Sequence, residues 1–158
     1  MAVTGLTTYL WFDGQAKDAA EFYVSLFPDA ELGDISYYQR DAQRPEGDVL
    51  TAAFTLFGQA YVALNGGPGF PHSEAISFQV ACDNQDDVDR LWNALIAEGG
   101  AESRCGWCHD RFGVRWQVIP RQLGEFLGSP DPEVSGYAFE RMMAMSKIVI
   151  ADLTRPSN

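Results

Sequence analysis

The residues in this sequence able to do chemistry are few, and the densest group is Cys105-Gly106-Trp107-Cys108-His109. Its C-x-x-C-H spacing serves covalent haem attachment, and its C-x-x-C core serves thiol redox exchange where a helix N-terminus lowers one thiol pKa. Haem attachment needs export and a chain that wraps the macrocycle, and a redox pair needs a strand-to-helix junction. Here the segment precedes Phe112-Gly113, a hairpin signal, so the group is assigned a structural role, with thiol redox chemistry as the competing reading. Cys82 and His72 could join the pair as zinc ligands only if distant segments converged. His72 and Glu74 read as a solvated loop or as a functional histidine at a pocket rim, since imidazole can act as a general base near neutral pH. Arg115 offers a guanidinium that could pair a carboxylate or phosphate bidentately, or bridge to a surface acid. With Trp107 and Trp116 it suggests an aromatic, cationic pocket for an anion, although alternation assigns Trp116 to the core.

Composition bounds what these groups can serve. The 158 residues are 46% hydrophobic, enough for a core without disulfides or a structural metal. A net charge of −11 disfavours nucleic acid and anionic membrane as partners, both of which demand a basic surface. No apolar run is long enough to span a bilayer. The start, Met1-Ala2-Val3-Thr4-Gly5, lacks the basic and apolar regions of a secretion signal, and three cysteines suit a reducing compartment. The expectation is a cytoplasmic protein.

The elements that must position these groups are visible as an internal repeat. Ala19, Phe22, Tyr23, Leu26 and Phe27 share the spacing i, i+3, i+4, i+7, i+8 with Val88, Leu91, Trp92, Leu95 and Ile96. Each set paints one face of an amphipathic helix, predicted over 15–27 and 84–98. Extended stretches precede both, Leu6 to Phe12 and Ala75 to Ala81. In the second, apolar Ile76, Phe78 and Val80 alternate with Ser77 and Gln79, as in a half-buried strand. Further on, Phe57-Gly58-Gln59-Ala60-Tyr61 matches Phe112-Gly113-Val114-Arg115-Trp116, each with glycine at a hairpin turn. Residues 31–40 and 47–57 supply two more strands, joined by the loop Asp41 to Gly47; in the second half a middle strand falls around 101–108. Each half therefore reads strand, helix, then about three strands, an α+β pattern. A glycine- and proline-rich connection, Asn65-Gly66-Gly67-Pro68-Gly69-Phe70-Pro71, separates the halves. After Pro120 come a short turn at Leu123, Phe126 and Leu127, an interruption at Pro130 and Pro132, and a helix from about Glu133 to Met145. Met142, Met143 and Met145 are expected to pack on the body. The division is a single domain over 1–158: module one about 4–65, linker 66–73, module two about 74–120, tail 121–158.

These residues resemble the glyoxalase/bleomycin-resistance/dioxygenase (vicinal oxygen chelate) superfamily, in its PhnB-like branch, often labelled 3-demethylubiquinone-9 3-methyltransferase-like. The likeness rests on Tyr9-Leu10-Trp11-Phe12-Asp13-Gly14, Ala19-Ala20-Glu21-Phe22-Tyr23, Ala75-Ile76-Ser77-Phe78-Gln79-Val80, Cys105-Gly106-Trp107, Asp110-Arg111-Phe112-Gly113-Val114, Trp116-Gln117-Val118-Ile119-Pro120 and, near the C-terminus, Met145 with Lys147-Ile148. It implies two βαβββ modules forming a concave mixed sheet around a pocket, C-terminal helices, and a homodimer.

Metal-dependent members of that superfamily carry His, Glu or Gln on the first and last strand of each module, holding a cation that chelates two substrate oxygens. The resemblance places the second module's histidine at or near Ala75 and its glutamate at Gln117, with the first module's acid or amide near Val62. From Ala2 to Phe12 there is no His, Asp, Glu or Cys. A divalent ion is not stripped of water by so few donors, so no metal and no cofactor are expected. The methyltransferase label is likewise unsupported, because Gly66-Gly67-Pro68-Gly69 is interrupted by proline and opens no helix. The expected function is binding of a small molecule in a metal-free pocket, lined by Tyr9, Trp11, Val62, Ser77, Gln79, Arg115 and Gln117. The other reading is a metal-dependent lyase, isomerase or dioxygenase with atypical ligands, for which His72 and Glu74, just before the strand, are the nearest donors an iron or zinc site could recruit with Gln117. Whether a reaction is catalysed is open at this stage.

Overall fold

Leu10 and Phe12 alternate with Tyr9 and Trp11 to make β1 (Thr8–Phe12), two residues shorter than the expected Leu6 to Phe12. The computed structural model describes residues 2–40 and 44–155. The chain divides into two compact units, Met1–Pro71 and His72–Asn158. In the first, β1 is followed by α1 (Ala16–Leu26), β2 (Glu31–Tyr37), β3 (Val49–Leu56) and β4 (Gln59–Asn65). Asp41, Ala42 and Gln43, part of the expected loop, lie outside the described residues. The strand order is β1-β4-β3-β2, with β1 parallel to β4 and the other neighbours antiparallel.

The face of α1 written in the sequence packs on one side of this sheet. Ala16, Ala19, Ala20, Tyr23 and Leu26 are buried. Tyr23 lies against Phe54 with centroids 5.8 Å apart, and Phe54 stacks on Tyr61 at 5.3 Å. Each such aromatic removes enough apolar surface from water to contribute about 1.5–3 kcal/mol. The β3–β4 hairpin turns through Phe57 and Gly58, both at positive φ (50° and 74°), as a two-residue turn matched to strand twist requires.

Nothing at Gln15 caps α1. Asn65, buried at the end of β4, does it from across the sheet: its Oδ1 accepts from Ala16 N at 2.9 Å and its Nδ2 donates to Val49 O at 2.9 Å. Its carbonyl also accepts from the Tyr38 hydroxyl. One side chain thus ties a helix start to two strands.

The second unit repeats the plan with β5 (Phe78–Cys82), α2 (Gln85–Ile96), β6 (Ala101–Glu102), β7 (Trp107–His109) and β8 (Arg115–Pro120), ordered β5-β8-β7-β6 with β5 parallel to β8. Val88, Leu91, Trp92 and Leu95 are buried on α2, which Asn84 caps by accepting from Asp87 N at 2.9 Å. Together the units give an α+β fold of two four-stranded mixed sheets followed by helices.

Three expectations are corrected here. The strand from Ala75 starts instead at Phe78, and Ile76, expected to face the helix, is 60% exposed. The cause lies in the partner strand: β8 begins only at Arg115, because buried Asp110 gathers the preceding backbone into a turn. Asp110 Oδ1 accepts from Phe112 N at 2.9 Å and Val114 N at 3.1 Å, and Oδ2 from Trp116 Nε1 at 2.8 Å. Residues before Phe78 have no ladder to join. Second, the single strand around 101–108 is a hairpin of two short strands, since Cys105 and Gly106 both take positive φ (58° and 83°). A Cβ on Gly106 would stand 2.7 Å from Ile119 Cδ1 and 3.0 Å from Val118 O, so glycine is required there.

The tail forms α3 (Arg121–Leu127) and α4 (Pro132–Ala144), with Pro132 in the first turn, where its missing N–H costs nothing. Leu123, Ile148 and Leu153 make a small core that Ile119, Met142 and Met145 pack against. Met143 is the third correction: it is 49% exposed and touches Cys105 instead, sulfur to sulfur at 3.6 Å. The tail's course is held by Cys105 N to Met145 O at 2.8 Å, Gly106 N to Ser146 O at 2.7 Å, and Ile150 N to Gln85 Oε1 at 2.8 Å. Among the described residues, no helix is long and apolar enough to cross a membrane.

The thiols belong to this framework. Cys82 and Cys108 are buried, and burial foremost pushes their pKa values up, to about 11 and about 12, with Asp110 and Glu102 adding to the rise at Cys108. No helix begins at Cys105, and a protonated Cys108 is the opposite of a redox nucleophile. In the native protein at pH 8, iodoacetamide is expected to alkylate Cys105 alone, as read by peptide mass spectrometry; rapid labelling of Cys108 would contradict the assignment. Replacing Asn65 with alanine is expected to lower stability by about 2 kcal/mol, from a lost cap and unpaired buried backbone groups, measurable by urea titration.

Candidate functional site

Each sheet has one face covered by its helix and one face turned away from it, and the pairing register decides which side chains stand on the second. In the first unit β1 and β4 pair Tyr9 with Val62 and Trp11 with Leu64. Leu10, Phe12, Tyr61 and Ala63 are buried toward the helix, so Tyr9, Trp11, Val62 and Leu64 share the open face. In the second unit β5 and β8 pair Gln79 with Gln117, while β7 places Trp107 opposite Gln117 and His109 opposite Arg115. Val80, Cys108, Val114, Trp116 and Val118 are buried toward the helix. The offset of the Phe-Gly repeat thus carries Val62 onto Gln117.

The seven expected lining residues divide between the sheets. Tyr9 is 61% exposed. Trp11 is half covered by the connection that follows β4: its Nε1 donates to Gly67 O at 2.7 Å and Phe70 meets it edge-on at 5.0 Å. A Cβ on Gly66 would overlap the Trp11 indole, so this glycine is there to let the chain lie on the ring. Beside Val62, the floor of the sheet is made of small side chains. With Glu31 at the edge, Thr7, Gly33, Ala53, Thr55, Ala60 and Val62 border a cleft of 310 Å³.

The second sheet's open face is filled by large polar groups. Ser77, just ahead of β5, accepts from Gln117 Nε2 at 2.8 Å. Arg115 Nε lies 2.9 Å from Glu74 Oε1 and its Nη1 donates to Gly113 O at 3.2 Å, which places it, without a ligand, on the surface-acid side of its two readings. Gln79 stands exposed beside Gln117. At the far end Ile119 shares this face but is covered by the tail.

The residues do not fit a chelated cation. Tyr9 and Val62 stand where the first sheet's ligands are implied, and Gln117 donates its amide to serine. Ala75 lies in a turn, outside the strand. Among the described residues no three His, Cys, Asp or Glu side chains come together in a group able to hold a metal ion. His72, half-buried before β5, and Glu74 belong to the segment that engages Arg115.

Sequence reasoning missed Thr7, Gly33, Ala53, Thr55, Ala60 and, as an open-face group, His109, whereas Trp107, read as an aromatic pocket group beside Arg115, does stand on the open face. Small residues carry no chemical signal, but the two Phe-Gly turns contain the register that would have found them. In both sheets the third strand pairs with the fourth, which puts Ala53 and Thr55 in the first where Trp107 and His109 stand in the second.

Comparison with known proteins bears on the family. The family described as 3-demethylubiquinone-9 3-methyltransferase matches residues 4–119. A solved structure from Bacillus cereus, described as a putative 3-demethylubiquinone-9 3-methyltransferase, PhnB protein, is 32% identical, with a TM-score of 0.67 over 74% of this chain and 99% of its own. A protein from Pseudomonas aeruginosa is 25% identical, with a TM-score of 0.59 over 75% of this chain and 98% of its own. A search of curated proteins gives no match. With both βαβββ modules in place and the match spanning each of them, the chain belongs to the 3-demethylubiquinone-9 3-methyltransferase family, the PhnB-like branch of the glyoxalase-like superfamily.

Proposed function

We propose that the chain binds a small, largely apolar molecule on the open face of its first sheet, without a divalent metal. The observation that carries this reading is the 310 Å³ cleft floored by Gly33, Ala53, Ala60 and Val62, at the place where a chelating member would present an acid. That volume is at the small end of ligand pockets, and a floor of small apolar side chains with a few polar groups at its border (the Thr7 and Thr55 hydroxyls and the exposed Glu31 carboxylate) is the usual composition of such sites. A bound molecule would gain from surface removed from water and be oriented by those hydroxyls. The methyltransferase in the family's description has no glycine-rich cofactor loop to support it here, since Gly66-Gly67-Pro68-Gly69 leads into no helix and lies on Trp11. The same reading takes the protein to be a cytoplasmic homodimer, supported by its composition and by the edge strands each sheet presents, β1 and β2 in one and β5 and β6 in the other.

The neutral dye Nile red is a suitable probe. Its affinity is expected to be unchanged by EDTA and to fall about tenfold or more in Ala53→Phe and in Ala60→Phe, which fill the cleft, with folding checked by thermal melting. Unchanged affinity in both variants would remove the cleft from the reading. Stoichiometric iron, zinc, nickel or manganese in the untagged protein, with binding lost on its removal, would return the chain to the metal-dependent lyases, isomerases and dioxygenases.

A further inference from the structure

Among the described residues Arg115 is the one lysine or arginine in any of the eight strands, in a chain with 22 acids against 11 lysines and arginines. It does not point into bulk water: only 19% of its side chain is exposed, on the open face of the second sheet. Among the described residues its one ion-pair partner is Glu74, which comes from the turn ahead of β5 and is 71% exposed. Glu74 lies 2.9 Å from Nε as a counter-ion without making a hydrogen bond to it, and Gly113 O takes one Nη1 donor, which leaves Nε and Nη2 with no hydrogen-bond acceptor among the described residues. A guanidinium keeps five donors in a planar fork, so an arrangement that uses so few is incomplete without a second acceptor.

The surroundings define what that acceptor is attached to. His109 stands across from Arg115 in the ladder, and one step along β8 the row Gln79, Gln117, Trp107 crosses the sheet. Gln117 Nε2 donates to Ser77, while among the described residues its carbonyl oxygen and the exposed Gln79 amide have no hydrogen-bond partner and can serve as acceptor and donors. Trp107 supplies a half-buried indole in the same row. The tail over Ile119 closes one end of the face. The corresponding places in the first sheet, Tyr9, Val62, Ala53, Ala60 and Thr55, carry no charge at all, so the cationic row is a property of the second sheet and not of the repeat.

We propose that this face binds a carboxylate attached to a planar group. The ligand carboxylate takes the Arg115 fork in place of Glu74, and the planar body lies against Trp107 with Gln79 and Gln117 meeting its polar edge. Glu74 is then a built-in competitor: it neutralises the guanidinium while the site is empty, and being mostly exposed it holds that place only weakly. A charge-assisted bidentate pair outcompetes it because the ligand makes two parallel hydrogen bonds where Glu74 meets a single nitrogen. No bond is made or broken in this binding, and it is independent of the cleft on the first sheet.

The test uses 2-naphthoate and its neutral counterpart 2-naphthamide, followed by the Arg115 Nε and Trp107 Nε1 signals in proton–nitrogen spectra of the full chain. The wild type is expected to prefer naphthoate by about tenfold, the discrimination one charge-assisted contact supplies. Arg115→Gln is expected to bind both probes alike, and Arg115→Lys to keep a reduced preference. Glu74→Gln, at an exposed position that does not threaten folding, is expected to tighten naphthoate about two- to fivefold and leave naphthamide unchanged. Equal binding of the two probes by the wild type overturns the proposal, as does a preference that survives in Arg115→Gln. So does the absence of any shift at Arg115 up to about 10 mM naphthoate, an affinity too weak for a built site. Ala53→Phe serves as the internal control: its loss of Nile red binding with an intact naphthoate preference separates the fate of this site from that of the cleft.

Discussion

In both units the whole arrangement depends on one parallel pairing, between the first strand and the last. β1 against β4 and β5 against β8 close each βαβββ module on itself, and the helix between must then cross over one face. Side chains on a strand alternate, so fixing this register fixes which set the helix buries and which set it leaves uncovered. A slip by one residue would send Tyr9 and Trp11 to the core and Leu10 and Phe12 to the surface, at a cost no local contact could offset. The apolar faces of α1 and α2 therefore do more than stabilise: they select the open-face residues by elimination.

Within that shared frame the two units have diverged in what holds them together. The first caps its helix with Asn65, a side chain from the far end of the paired strand, and lays its outgoing chain over Trp11 through Gly66. The second caps its helix locally with Asn84 and spends its buried polar group, Asp110, on shaping the turn before β8. That turn shortens the ladder, which frees residues 74–77 from the strand and lets Glu74 and Ser77 reach sideways to Arg115 and Gln117. The same substitution of loop for strand that displaced Ala75 from its expected place is what brings a carboxylate to the guanidinium.

Helices, strand order of events and core faces were legible in the sequence because periodicity is a direct image of burial. Of the helix faces read from spacing, Ala19, Tyr23, Leu26 and Phe27 in one and Val88, Leu91, Trp92 and Leu95 in the other are buried, and Phe22 and Ile96 at their margins are half-buried. What could not be read was set by single side chains acting at a distance. The length of β5 depends on Asp110, thirty-odd residues away in sequence, and the break between β6 and β7 on two left-handed residues of which only one is glycine. The open-face residues on β4 and β8 followed from the Phe-Gly repeat, whereas Gly33, Ala53 and Ala60 were invisible: a cleft made by what side chains lack leaves no chemical mark.

The places that a chelating relative would give to His and Glu are occupied here by groups whose hydrogen-bonding needs are small or already met. Tyr9 and Val62 demand nothing of a metal, and Gln117 turns its amide to Ser77. A half-dismantled cation site would be costly, since a carboxylate left on such a face without its ion would lose hydration and gain no partner. On the second sheet's open face the charge that stands in the β8 row, Arg115, is of the opposite sign and comes with its own counter-ion, whereas the first sheet carries an acid, Glu31, only at its edge strand. A guanidinium held against an exchangeable carboxylate favours an anion over a cation on the second sheet's open face, and it is on this sign of charge that the proposed carboxylate site rests.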